Sequence, residues 1–106
     1  MKMYRQGDVL FKEVKAFPRA GSITKVRTNG HILEGEVTGH IHQVAEANLE
    51  DCELMEIGNG LFMNVSAEGG VSIIHPDHHT LELPTGRYEI VRQREYSPEE
   101  IRNVQD

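Results

Sequence analysis

Turn-forming residues punctuate this chain at roughly ten-residue intervals, a spacing that favours short antiparallel strands folded into a sandwich or small barrel. Gly7 opens a β-rich run over residues 8–14. Residues 24–28 and 31–36 flank Asn29-Gly30. That dipeptide predicts a hairpin, because a type I′ turn needs positive φ at both central residues. Residues 40–46 read as a further strand after the break at Thr38-Gly39. Gly58-Asn59-Gly60 predicts a second hairpin between residues 53–57 and 61–66, and Glu68-Gly69-Gly70 turns the chain into 71–75 for a third. Pro84-Thr85-Gly86 separates residues 80–83 from 87–96. Only the C-terminal end predicts a helix. Ser97-Pro98-Glu99-Glu100 places Ser at the N-cap, Pro at N1 and Glu at N3, with the helix running to about Val104. The expected fold is all-β: one domain over residues 1–106, a small antiparallel β-barrel or sandwich with a short C-terminal helix.

The length suits one domain that buries a core without disulfides. With no Trp, three Phe and three Tyr, that core must come mainly from Val, Ile, Leu and Met; Met3, Met55 and Met63 read as core filling. Seventeen acidic residues against eleven basic ones give a charge of −6, which speaks against a general phosphate-binding surface and against nucleic acid as a partner. Arg87, Arg92 and Arg94 form the only candidate basic strip. They alternate with Glu89 and Glu95, as paired surface charge does. Cys52 is the single cysteine, so an intramolecular disulfide and a thiolate-rich zinc site within one chain are excluded. The opening Met-Lys-Met-Tyr-Arg-Gln-Gly-Asp has no apolar run, and no stretch reaches the ~18 apolar residues of a membrane span. A soluble cytoplasmic protein without a membrane partner is expected. A homodimer is expected as well, because open sheet edges must be closed or paired.

Function is read from the histidines. Five of the six fall in two clusters, His40-Ile41-His42 and His75-Pro76-Asp77-His78-His79. Imidazole is the commonest protein metal ligand and titrates near neutrality. On a strand, residues i and i+2 lie roughly 6.5 Å apart on one face, so His40, His42, Val44 and Glu46 are expected together, with Glu46 as a third ligand or an orienting group. Val71, Ile73 and His75 form one inward stripe and His79, Leu81 and Leu83 another, while His78 aligns with Thr80 and Glu82 on a polar face. The candidate metal residues are therefore His40, His42, Glu46, His75 and His79. Three neutral nitrogens and one open position would suit a catalytic zinc, manganese, iron or nickel ion. Such an ion polarises a substrate oxygen or acidifies a bound water. One residue of slip in register reverses every facing assignment, so the choice among His75, His78 and His79 stays open. His31, just after the Asn-Gly turn, reads as a solvated strand end.

The string His40-Ile41-His42-Gln43-Val44-Ala45-Glu46 resembles the centre of the first cupin motif, His-x-His followed by Glu, and Pro84-Thr85-Gly86 resembles the Pro-x-Gly of the second. The resemblance implies a double-stranded β-helix barrel holding a metal on His40, His42 and Glu46. The second motif's histidine position is Glu89 here, its Asn position is Gln93, His78 stands at its leading Gly, and Gly35 is one residue out of place in the first motif. The chain also resembles small uncharacterised bacterial and phage proteins, which implies no activity. More faintly, through Gly7 to Lys12, it is similar to the small barrel of chaperonin co-chaperones.

The leading expectation is a metal-binding β-barrel protein, extending to a metal-dependent enzyme on a small polar molecule. Two alternatives stand beside it. One is a non-enzymatic phage or bacterial interaction module binding a protein or ligand. The other is a metal-free acid–base enzyme built on two histidines with Asp77 or Glu46 as the orienting group.

Overall fold

The computed structural model describes residues 2–19, 23–34, 39–93 and 104–105. Within them, the alternating apolar segments form eleven strands: β1 (Met3–Gln6), β2 (Val9–Glu13), β3 (Ile23–Arg27), β4 (His31–Glu34), β5 (Ile41–Val44), β6 (Cys52–Ile57), β7 (Gly60–Val65), β8 (Val71–His75), β9 (His78–Leu83), β10 (Gly86–Arg92) and β11 (Val104–Gln105). A 3-10 helix, Glu46–Asp51, joins β5 to β6. The larger sheet has the order β11-β1-β2-β10-β7-β6-β3 and the smaller one β4-β5-β8-β9. Every ladder is antiparallel except that of β1 with β11.

The sheets face each other across one core. Val9, Phe11, Leu54, Met63, Val65, Tyr88 and Ile90 come from the larger sheet, and Ile32, Val44, Val71, Ile73, Leu81 and Leu83 from the smaller. Burying each of these side chains contributes on the order of 1.5–3 kcal/mol. The outer face of the larger sheet carries a second, small cluster of Met55, Ile57 and Phe62, with Phe17 packed against Phe62 edge to face. The methionines at 3, 55 and 63 are all buried.

Hairpins and sheet changes alternate along the chain. The pairs β1–β2, β4–β5, β6–β7 and β8–β9 are hairpins. The links β3–β4, β5–β6, β7–β8 and β9–β10 each cross from one sheet to the other. This corrects the reading of Asn29-Gly30 as a hairpin turn: β3 pairs with β6 and β4 with β5. The backbone gives the reason. Only Gly30 has positive φ, +76°, and among the described residues no non-glycine does, so a type I′ turn is not formed. Asn29 Oδ1 instead accepts from the His31 N–H at 3.0 Å, and the corner sends the chain into the opposite sheet. The Gly69-Gly70 segment likewise links sheets, while Gly58-Asn59 is the turn of the β6–β7 hairpin.

The expected barrel does not close. Among the described residues no ladder joins the two sheets, because four of the links carry the chain across the core. The sandwich alternative describes the arrangement. The helix expected to end near Val104 lies outside the described residues except at Val104 itself, which belongs to β11 and pairs with Met3. Among the described residues no helix is long and apolar enough to cross a membrane.

Candidate functional site

Gln6 ties the two sheets together where the β1–β2 turn meets the β8–β9 turn. In β1, Tyr4 and Gln6 stand opposite Phe11 and Val9, two core residues, so Gln6 points inward and is 2 % exposed. Its Nε2 donates to the carbonyls of Ile73 at 2.7 Å and His79 at 2.9 Å. A group facing two carbonyls must be the amide nitrogen, so Oε1 is the end turned to His42 Nδ1, 2.9 Å away. An amide oxygen only accepts, which places the proton of neutral His42 on Nδ1 and the lone pair on Nε2.

His42 is completely buried, inward with Val44 in β5. Its Nε2 makes no hydrogen bond among the described residues. Asp8 Oδ1 lies 3.5 Å away, but a carboxylate oxygen only accepts and cannot satisfy a lone pair, and the other oxygen of Asp8 is held by Arg92 at 2.7 Å. Burial is the main cause that pushes the His42 pKa down to about 4, and His75 and His78 add to it; the attraction of Asp8 is outweighed. His42 is thus neutral at physiological pH, with a buried lone pair.

Three more imidazoles gather beside it. The His75 ring lies 4.2 Å from that of His42, the His78 ring 4.7 Å from that of His75, and the His42 and His78 rings are 6.0 Å apart and nearly parallel, at 13°. His40 stands 6.0 Å from His75, and its Nδ1 meets Asp77 Oδ2 at 2.7 Å. A carboxylate accepts, so this Nδ1 carries the proton. His75 has the opposite tautomer: its Nδ1 accepts the Asp77 backbone N–H at 3.0 Å, which leaves its proton on Nε2. That atom, too, is buried without a hydrogen-bond partner among the described residues. A lone pair on His42 and an N–H on His75 are therefore both left unused in the interior, where an unmet polar group costs about 1–3 kcal/mol. Among the described residues no three His, Cys, Asp or Glu side chains converge on one point as they stand.

The structure brings together His40, His42, His75 and His78, and leaves His79 and Glu46 apart. His79 was expected inward by alternation from Leu81 and Leu83. Between Ile73↔Leu81 and His75↔His78, however, β8 advances two residues and β9 three. This bulge reverses the parity of β9 and turns His78, not His79, toward His75. His79 is exposed and contributes its carbonyl to Gln6. Glu46 leaves the β5 face because the chain enters the 3-10 helix there; it is exposed and lines a separate depression with Asn29, Gln43 and Leu49. Asn48 of that helix accepts from the Ser72 N–H of β8 and so fixes the departure.

Gln6 and Asp8 are absent from the sequence candidates, and Arg92, read there as paired surface charge, holds Asp8. The Gly7-Asp8 dipeptide between two alternating runs was the available hairpin signal, and it would have put Gln6 on the Tyr4 face. Gly7 has φ +60°, and a Cβ there would sit 2.5 Å from His78 Nε2; the missing side chain is what lets the His78 ring lie over the turn. Cys52 is half-buried, and burial with Asp51 beside it pushes its thiol pKa up, which suppresses thiolate chemistry.

These features define a two-sheet antiparallel β domain with a polar histidine cluster at one end of its core. The chain belongs to the family described as a domain of unknown function, DUF8820, whose model matches residues 5–93; the match takes in all four clustered histidines with Gln6, Asp8 and Arg92. No curated protein and no solved structure matches the chain.

Proposed function

We propose that the histidine cluster binds a divalent transition-metal ion, and that the protein uses it on a small polar molecule. The observation that carries this reading is His42: a fully buried, neutral imidazole whose lone pair is fixed by Gln6 and meets no hydrogen-bond donor. Metal-ligating histidines characteristically have their second nitrogen held by an amide, carbonyl or carboxylate, and Gln6 on His42 and Asp77 on His40 are such partners. His42, His75 and His78 would hold the ion, with His40 at the fourth side. His75 would first exchange the Asp77 N–H for a proton of its own on Nδ1. A bound ion would supply Lewis acidity toward a substrate oxygen or a water.

The test is elemental analysis and calorimetric titration with zinc, nickel, manganese and iron(II) on untagged protein. His78→Ala and His40→Ala are the informative variants, because both side chains are exposed and their removal spares the core. Near-stoichiometric metal in the wild type and at least tenfold weaker uptake in His78→Ala is the expected outcome. Absence of uptake for all four ions ends the proposal.

A second reading is favoured by the tautomer of His75. An N–H beside the His42 lone pair is the start of a proton relay that needs no metal, with Asp77 contacting both His75 and His40. It predicts activity that survives chelation.

A further inference from the structure

The clustered imidazoles all come from one sheet. His42 lies in β5, His75 in β8 and His78 in β9, and His40 immediately precedes β5. Asp8, in the β1–β2 turn of the larger sheet, reaches them from the opposite side. Its Oδ1 stands 3.5 Å from His42 Nε2. Gln6 fixes that nitrogen as a lone pair, so two acceptors meet, a contact that repels unless both share a cation. The distance is also that between two ligands of one ion: donors about 2.0–2.2 Å from a tetrahedral zinc lie about 3.4 Å apart. Arg92 donates to Asp8 Oδ2 at 2.7 Å and the Gln93 N–H to the Asp8 carbonyl at 2.7 Å, which holds Oδ1 toward His42. Ligating carboxylates are characteristically hydrogen-bonded in turn. A Cβ on Gly7 would stand 2.5 Å from His78 Nε2, so another imidazole nitrogen lies over the residue next to Asp8.

We infer that Asp8 Oδ1 is an oxygen ligand of the ion, bound together with His42 Nε2, so that the metal clamps the two sheets to each other. The inference rests on the metal proposal and adds to its imidazoles a carboxylate from the larger sheet. Among the described residues no ladder joins the sheets. Gln6 links them here through hydrogen bonds, and an ion on Asp8 and His42 links them by coordination. As they stand, no three donors converge among the described residues; rotation of the exposed His78 ring over Gly7 supplies the next one. A carboxylate oxygen offsets part of the charge of the ion and is, like imidazole, a customary zinc ligand.

The probes are zinc and, for spectroscopy, cobalt(II), on untagged protein. Asp8 is 32 % exposed in a turn, so its replacement spares the core, and far-UV circular dichroism establishes that each variant is folded. Asp8→Asn is expected to bind zinc at least tenfold more weakly than wild type. It is also expected to lose more than half of the rise in melting temperature that zinc gives the wild type. Glu46→Gln removes an exposed carboxylate apart from the cluster and is expected to match wild type in both measurements. Asp8→Cys puts a thiolate donor at the same position. Its cobalt(II) complex is expected to show a near-ultraviolet sulfur-to-metal charge-transfer band that the wild type, with its Cys52 in β6, lacks. A side chain that acts on the ion only through its field gives no such band. The two proposals fail in different ways. Zinc uptake by the wild type with no band in Asp8→Cys, or with undiminished uptake in Asp8→Asn, overturns Asp8 as a ligand and leaves the metal on the imidazoles. Absence of uptake by the wild type removes both.

Discussion

At Gln6 the amide has no choice of orientation: two backbone carbonyls face Nε2, so Oε1 must face His42, and His42 must be protonated on Nδ1. One side chain thereby joins the sheets and sets the basic nitrogen of the site. Gln6→Leu keeps much of the volume but abandons two carbonyls and one imidazole N–H in the interior. With unmet buried groups costing about 1–3 kcal/mol each, and some of that recovered by relaxation, a loss of about 2–4 kcal/mol is expected. Urea denaturation of wild type and variant measures it. A change under about 0.5 kcal/mol would mean that water replaces the amide and that the tautomer of His42 is set elsewhere. The histidines were legible as residues, because their clustering is visible in the string. Their orienting partners were not: a glutamine gains its role only from the carbonyls that the opposite sheet brings to it.

Elements were read more reliably than their connections. Alternation located the strands, and the Gly58-Asn59 hairpin followed from its turn residues. The Asn29-Gly30 corner shows why pairing was harder, since the same dipeptide serves a tight hairpin or a change of sheet and the difference lies in the long-range partners β6 and β5. The inward face of β9 failed for a related reason. Its bulge inserts one residue without any Gly or Pro to announce it, and a single inserted residue reverses the facing of His78 and His79. The corner at Gly30 gives a prediction of its own. Gly30 is buried at φ +76°, and a Cβ there would stand 2.5 Å from Leu49 Cδ2 while the Gly30 carbonyl accepts from the Val44 N–H. Gly30→Ala combines left-handed backbone strain with overpacking and is expected to destabilise by about 2–3 kcal/mol. The companion Leu49→Ala in the same background removes the clash; recovery of part of the loss identifies the packing share, and no recovery assigns the whole effect to the backbone.

For the molecule as a whole, the site is a polar cluster placed inside a small core, and its cost has a pH signature. In the unfolded chain His42 titrates near 6.5; in the fold, burial first and His75 next push it down to about 4. Between those values the unfolded chain holds a proton that the folded one refuses, so stability is full above about pH 6.5, falls as the pH drops through the window and levels off below about 4. A difference of this size corresponds to about 3 kcal/mol, a large share of the 5–15 kcal/mol typical of a domain. Other charges face the same cluster: Asp8 with Arg92, and Asp77 with His40. Comparison with a variant that lacks the His42 imidazole separates its share from theirs. Urea melts of metal-free protein at pH 7.5, 5.5 and 4.5 are expected to show the decline, and His42→Asn, which keeps an N–H for Gln6 Oε1 but does not titrate, is expected to flatten it by more than half. Parallel curves for the two proteins would assign the acid sensitivity to the surface pairs and leave the buried imidazole without a thermodynamic signature.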